Sequence, residues 1–202
     1  MAASVYYIDW YDIIQPVDLV SCGRTFTTNL GTAVSKGADF QATFAPTPRV
    51  LLDLTLNYND ARFTQTIRNP TASADIVKSG WTLGQTPWTI VGSAEYRFTG
   101  PFGRESYFTA DADYHSKNNG LTGITDPDSV NYNPLVQPDG STLDVRLRLG
   151  VEISGWDVSL FINNATNNHP ILTYRNDSPG GQIPYATPVR PLSAGITVES
   201  RF

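Results

Sequence analysis

Apolar and polar residues alternate one by one along most of this chain, and the alternation recurs in about eight separate stretches. The clearest stretch sets Leu143, Val145, Leu147, Leu149, Val151 and Ile153 against Asp144, Arg146, Arg148, Gly150, Glu152 and Ser154. A period of two places successive side chains on opposite faces of an extended backbone, so each stretch predicts a strand with one apolar and one polar face. The first predicted strand runs from Ser4 to Ile14, with Tyr6, Ile8 and Trp10 on its apolar face. A loop or hairpin around Cys22 and Gly23 follows. The next strands are expected at Ala33–Phe44, Val50–Thr64, Trp88–Phe98, Ser106–His115, Leu143–Ile153 and Trp156–Asn163. The last is Arg190–Phe202, where Leu192, Ala194, Ile196 and Val198 oppose Ser193, Gly195, Thr197 and Glu199.

The connections alternate in length. Pro46–Pro48, Gly100–Arg104 and Ser154–Gly155 are short, whereas Ile67–Thr86, Lys117–Gly140 and Asn164–Val189 are long and polar. Transmembrane β-barrels have short turns at one end and long loops at the other, with aromatic girdles at the two interfaces. Tyr6, Trp10, Tyr58, Trp88, Phe98, Tyr114, Trp156 and Phe202 are expected to form such girdles. Apart from Asp12 near a strand end, the predicted apolar rows carry no charge. The fold class expected is all-β, an antiparallel transmembrane barrel segment of about eight long strands. A small self-contained outer-membrane barrel with a structural or adhesive role explains the same pattern. So does a soluble β-sandwich binding module, although long strands and lopsided connections suit it less.

Composition narrows the picture. The 202 residues include 16 Gly, 14 Pro and 11% aromatics, with only 16% charged residues, a balance that suits a sheet protein. No stretch approaches the roughly 20 apolar residues of a spanning helix. The mean hydropathy of −0.23 does not speak against a barrel, because half of each strand faces a polar lumen. A net charge of −5 disfavours nucleic acid as a partner. The single Cys22 allows neither an internal disulfide nor a cysteine-based zinc site. The opening MAASVYYIDW lacks the basic and apolar regions of a secretion signal, so a preceding segment is expected.

Several stretches together resemble the C-terminal part of the barrel of TonB-dependent outer-membrane receptors. They are YYIDWYDI, CGRTFTTNLGTAVSKGADF, LNYNDARFTQ, PWTIVGSAEYRF, GWDVSLFINNATNNHP and the closing ATPVRPLSAGITVESRF. The resemblance implies one domain, residues 1–202, forming the last part of a barrel of about 22 strands, with the signal peptide and plug domain absent. It also implies a bacterial outer-membrane location and lipid around the apolar face. The barrel-assembly machinery would read the C-terminal strand through Phe202, although Ser200 stands where an aromatic is common. A TonB complex would be reached only through the missing N-terminal part. The implied ligand is a siderophore, cobalamin or an oligosaccharide, and this segment alone is not expected to transport it.

Candidate sites follow from residue type and placement. Trp81, Tyr132, His169, Tyr174, Arg175 and Tyr185 lie in the long loops, where aromatics and Arg suit capture of a small molecule or sugar. The alternative is that they only cover the barrel mouth. Asp111, Asp113 and His115 share one face, where they could hold a cation or polar ligand, or pair with Arg146 and Arg148 on the next strand. Asp126, Asp128 and Asn131 suggest loose Ca²⁺ binding but lack EF-hand spacing. With two His residues and no GxSxG, no catalytic residues are expected, and no cofactor or metal is assigned.

Overall fold

The computed structural model describes residues 1–19, 24–69, 74–118, 120–134, 136, 140–176 and 183–200. Cys22, Arg201 and Phe202 therefore lie outside the described residues. The chain forms β1 (Ala2–Trp10), β2 (Ile14–Leu19), β3 (Arg24–Asn29), β4 (Ala33–Thr47), β5 (Val50–Phe63), β6 (Ile67–Arg68), β7 (Asp75–Val77) and β8 (Trp88–Thr99). One 3-10 turn, Pro101–Gly103, precedes β9 (Glu105–His115), β10 (Thr142–Ile153), β11 (Trp156–Asn163), β12 (Ile171–Asn176), β13 (Pro184–Pro188) and β14 (Ser193–Ser200).

Eight strands join in one antiparallel sheet, in the order β1-β4-β5-β8-β9-β10-β11-β14. These are the eight long strands expected from alternation, except that the first ends at Trp10 and Ile14 opens β2 instead, with Asp12 at a φ of 51° between them. The remaining strands form three small hairpins, β2–β3, β6–β7 and β12–β13, each inside a connection at the long-loop end. The β2–β3 hairpin fits the expected loop or hairpin near Cys22. The other two carry too little alternation to be read from sequence. At the short-turn end, Ser154 and Gly155 join Ile153 to its partner Trp156 with φ of 49° and 83°. Positive φ at both central residues is the turn that matches the right-handed twist of two paired strands. The sheet's edges are β1 and β14, which are not paired to one another among the described residues.

Directly opposed residues of an antiparallel ladder share a face. One row runs Phe44, Leu52, Ala94, Ala110, Leu147, Ile162 and Ala194 across seven strands. A parallel row runs Val50, Tyr96, Phe108, Leu149, Leu160 and Ile196. This apolar face is turned outward: on interior strands Leu149 is 48% and Leu160 55% exposed, while Ser159 on the polar face is 1% exposed. Aromatics bound the face at both ends. Tyr58 and Trp88 pack 4.8 Å apart near the long loops, and Tyr96 and Phe98 stack at 5.6 Å near the short turns. Ten residues separate Trp88 from Phe98, about 34 Å along the strand, which a tilt of about 40° projects to about 25 Å.

The register corrects two expectations. Val5 opposes Ala38 and Ala3 opposes Phe40, so Ala3, Val5 and Tyr7 continue the apolar face. Tyr6, Ile8 and Trp10 instead share the polar face with Gly37, Ser35 and Ala33, and Tyr6 and Trp10 leave the proposed girdle. Strand β1 carries large side chains on both faces, so alternation alone did not orient it. The outward row also carries more charge than Asp12. Lys36, Asp60 and Arg62 continue it beyond Tyr58, with Nζ of Lys36 at 4.0 Å and Nε of Arg62 at 2.6 Å from the Asp60 carboxylate. They lie on the loop side of the Tyr58–Trp88 pair.

On the polar face, aromatic rings lie across opposed glycines at three places. Tyr6 covers Gly37, Tyr107 covers Gly150 and Phe161 covers Gly195, and a β-carbon at any of the three would overlap its ring. Gly therefore permits a close approach that no other residue allows. Tyr107 reaches past Gly150 and donates its hydroxyl to the Asp157 carboxylate at 3.0 Å.

Candidate functional site

The buried apolar cluster of the described residues is at the long-loop end. Ile13, Ala33, Phe63, Val77 and Trp81 form it, with Leu30, Ile67, Ile76 and Leu83 packed around it. Ala33 and Phe63 open β4 and close β5, so the cluster is anchored to the sheet rim. Backbone bonds fix the pieces. The Ile13 and Leu30 N–H groups donate to Gly31 and Ile13 carbonyls, Phe63 N–H donates to the Trp81 carbonyl at 2.9 Å, and Leu83 N–H donates to the Ala61 carbonyl at 3.1 Å. The connection 64–87 is thus folded back onto the strand it leaves.

The connection 116–141 packs onto this base. Asp75 and Ser129 form a parallel bridge, with Asp75 N–H donating to the Asp128 carbonyl at 2.8 Å and Val130 N–H to the Asp75 carbonyl at 3.0 Å. Thr82 N–H donates to the Leu121 carbonyl at 2.9 Å. The Asp126 side chain, 4% exposed, accepts from the Trp81 indole at 2.7 Å, the Lys78 ammonium at 3.2 Å and the Asp128 N–H at 3.0 Å. Lys78 also reaches Asp128 at 2.8 Å. Burial pushes the Asp126 carboxyl up, but the Asp128 N–H, the Trp81 indole and Lys78 together hold it below the usual 3.8. Hydrogen bonds to Asp128 and then Asp126 push Lys78 above its ordinary 10.5.

The loop residues expected to meet a ligand are sorted by this packing. Trp81 is 3% exposed and its N–H is committed to Asp126, so it supports the loops from within and presents no surface of its own. Tyr132 is exposed on the connection 116–141, beside exposed Leu121 and Ile124. Tyr185 and His169 are exposed in the connection 164–192, and Tyr185 is the register partner of Arg175 on β12. Tyr174 pairs with Ala186. The structure thus brings Arg175, Tyr174 and Tyr185 together on one hairpin. Asn164, with φ of 49°, donates from its amide to the Asn168 and Arg190 carbonyls and so closes that hairpin's base.

Of Asp126, Asp128 and Asn131, whose residue types suggest loose Ca²⁺ binding, the two aspartates are engaged otherwise. The two carboxylates converge on the Lys78 ammonium, which takes the place a cation would occupy between them. Lys78 was not singled out from sequence because its partners lie some 50 residues away in the chain. Asp111, Asp113 and His115 lie in the polar wall. Asp111 opposes Arg146, but the Arg146 guanidinium bonds Asp144, two residues along its own strand, at 2.8 Å. His115 sits between Asp113, at 3.1 Å, and the Thr89 hydroxyl, at 3.1 Å. Among the described residues no group of three or more His, Cys, Asp or Glu side chains is arranged to hold a metal ion. An open cleft of about 230 Å³ lies at the short-turn end, lined by Arg49, Arg97, Glu105, Tyr107 and Glu152. It faces away from the loop cluster, and Arg97 there is already paired with Glu95.

A family model described as "TonB dependent receptor-like, beta-barrel" matches residues 1–165. The match ends just past β11, and the sheet continues from there into β14 without a break in register. Comparison with curated proteins gives no match.

Proposed function

Since the chain belongs to the TonB-dependent receptor β-barrel family, we propose that it forms part of the barrel wall of an outer-membrane receptor. That receptor takes up a scarce small molecule or oligosaccharide with energy from a TonB complex. The family is one of outer-membrane transport receptors. In this chain the reading is supported above all by the outward apolar face: leucines on interior strands are about half exposed between two bands of aromatics. In water such a face would be an aggregation hazard. In hydrocarbon it is the surface that costs least.

The wall contributed here has two edges, β1 and β14, without a sheet partner among the described residues. Hydrocarbon does not tolerate unpaired N–H and C=O groups. The eight strands are therefore read as one section of a wider barrel, with the C-terminal strand as the part that assembly machinery engages. The sheet alone is not competent for transport. Ligand capture is assigned to the long-loop end, through exposed Tyr132, His169 and Tyr185 with Arg175, and no catalysis is ascribed to the chain.

The test is a pair of substitutions on adjacent residues of β10. Leu147→Arg puts a charge on the outward face, where it costs about 2–4 kcal/mol near the bilayer midplane. Arg148→Ala removes a charge from the polar face. The expected outcome is loss of heat-modifiable, membrane-embedded protein for Leu147→Arg only. Equal assembly of both variants would reject the assignment of the apolar face to lipid.

A further inference from the structure

We infer that Trp81 and Lys78 on the connection 64–87 and Asp126 on the connection 116–141 form an interlock that makes the two long loops one body, so that displacing either displaces both. Three observations carry it. The Asp126 carboxylate is almost fully buried and takes donors from both loops: the Trp81 indole and Lys78 ammonium from the first, the Asp128 N–H from its own. A buried carboxylate stripped of its donors is strongly unfavourable, so the loops resist separating there. The Trp81 ring is at the same time a member of the rim core with Phe63 and Val77. The second loop is therefore fastened to strand β5 through a residue of the first. Finally, the fit is tight on the second loop's side, since a β-carbon on Gly123 would lie 3.2 Å from the Trp81 ring.

The parallel bridge of Asp75 with Ser129 and the bond from Thr82 N–H to the Leu121 carbonyl flank the interlock on either side. Backbone pairing sets the alignment, and the Trp81–Asp126–Lys78 contacts supply the buried, charge-assisted part. Leu121, Ile124 and Tyr132, exposed on the second loop, are in this way carried on a base that includes the first. The interlock is independent of which ligand the protein takes, and its test needs none.

Hydrogen exchange of the intact protein, followed by mass spectrometry, reads the coupling directly. Asp126→Ala is altered on the second loop alone. Exchange is expected to accelerate about tenfold or more in 120–134 and, to a comparable degree, in 74–83. Strands β9 and β10 serve as the unchanged reference. Trp81→Phe keeps an aromatic ring in the rim core but loses the five-membered ring with its N–H, while Lys78 still meets Asp126, so it is expected to give a smaller acceleration, again in both loops. It also serves as the readout if Asp126→Ala fails to assemble. Acceleration confined to the loop that carries the substitution, in either variant, would overturn the inference.

Discussion

The sheet and the loop end of this molecule treat apolar side chains in opposite ways. In the sheet they point outward, and Leu54, Leu149 and Leu160 stay 39–55% exposed although their strands are interior. At the long-loop end, Ile13, Phe63, Val77 and Trp81 are at most 7% exposed in a compact cluster. Both regions belong to one chain, and β5 runs through both: Leu54 is on the outward face and Phe63 is in the buried cluster. A single solvent does not account for this. The sheet is built as though its surroundings were apolar, and the loop end as though they were water. The changeover falls where Lys36, Asp60 and Arg62 replace leucines in the outward row, just beyond the Tyr58–Trp88 pair.

Substitutions can break this comparison at either side, and the largest effect is expected in the loop core. Trp81→Ala removes the ring and the Asp126 bond together, a loss of about 3–5 kcal/mol. Its consequence should be confined to the loops: proteolysis between 64 and 87 should become fast while the sheet remains assembled. Next comes the sheet. Leu147→Arg is expected to cost about 2–4 kcal/mol and to abolish assembly, whereas the corresponding loop substitution Leu121→Arg, at an exposed position in water, should be silent. Heat-modifiable migration on a gel separates the two outcomes.

A smaller effect is expected from the polar face. Gly150→Ala would push a methyl into the Tyr107 ring and should cost about 1–3 kcal/mol in denaturant unfolding, because ring and backbone must separate. Adding Tyr107→Ala to the same chain should relieve most of the loss.

The loop interlock has a pH response of its own. Asp126 has a folded pKa below its ordinary 3.8, so its contribution is complete above that value and is lost as pH falls through the folded pKa. Lys78 is raised above 10.5, so its contribution is complete below that value and is lost as pH rises through the folded pKa. Loop protection from exchange should therefore be flat across neutral pH, fall below about pH 3.8, and fall again on the alkaline side above about pH 10.5. The smallest effect belongs to the boundary: Lys36→Ala, which removes an exposed ammonium 4.0 Å from a carboxylate that Arg62 also pairs, should change stability by at most about 0.5 kcal/mol.

Much of the sheet was legible because alternation is a local property. The alternation predicts β11 end to end, Trp156–Asn163, and β10 to within one residue. The misreading of β1 has the same root. With Tyr6 and Tyr7 adjacent and Ile8 and Trp10 following, both faces are apolar, and only the pairing of Val5 with Ala38 shows which one looks outward. At the loop end little was legible. Trp81 looked like a ligand contact because an aromatic in a polar loop usually is exposed. Its burial depends on Asp126, 45 residues away, and on Phe63, 18 residues before it. Asp126 and Asp128 looked like cation ligands for the same reason, since the cation that meets them is Lys78.

By itself, the sequence determined the eight long strands of the sheet, their two faces from β4 onward, and the short and long ends of the molecule. Each of these is written in the period of two and in the turn residues, which act over a few neighbouring positions. The tertiary structure alone decided the facing of β1, the place where charge returns to the outward row, and the joining of the two long loops through Trp81, Lys78 and Asp126. Those depend on register between strands and on packing between distant segments, where the partners of a side chain are chosen by the fold and leave no periodic trace in the chain.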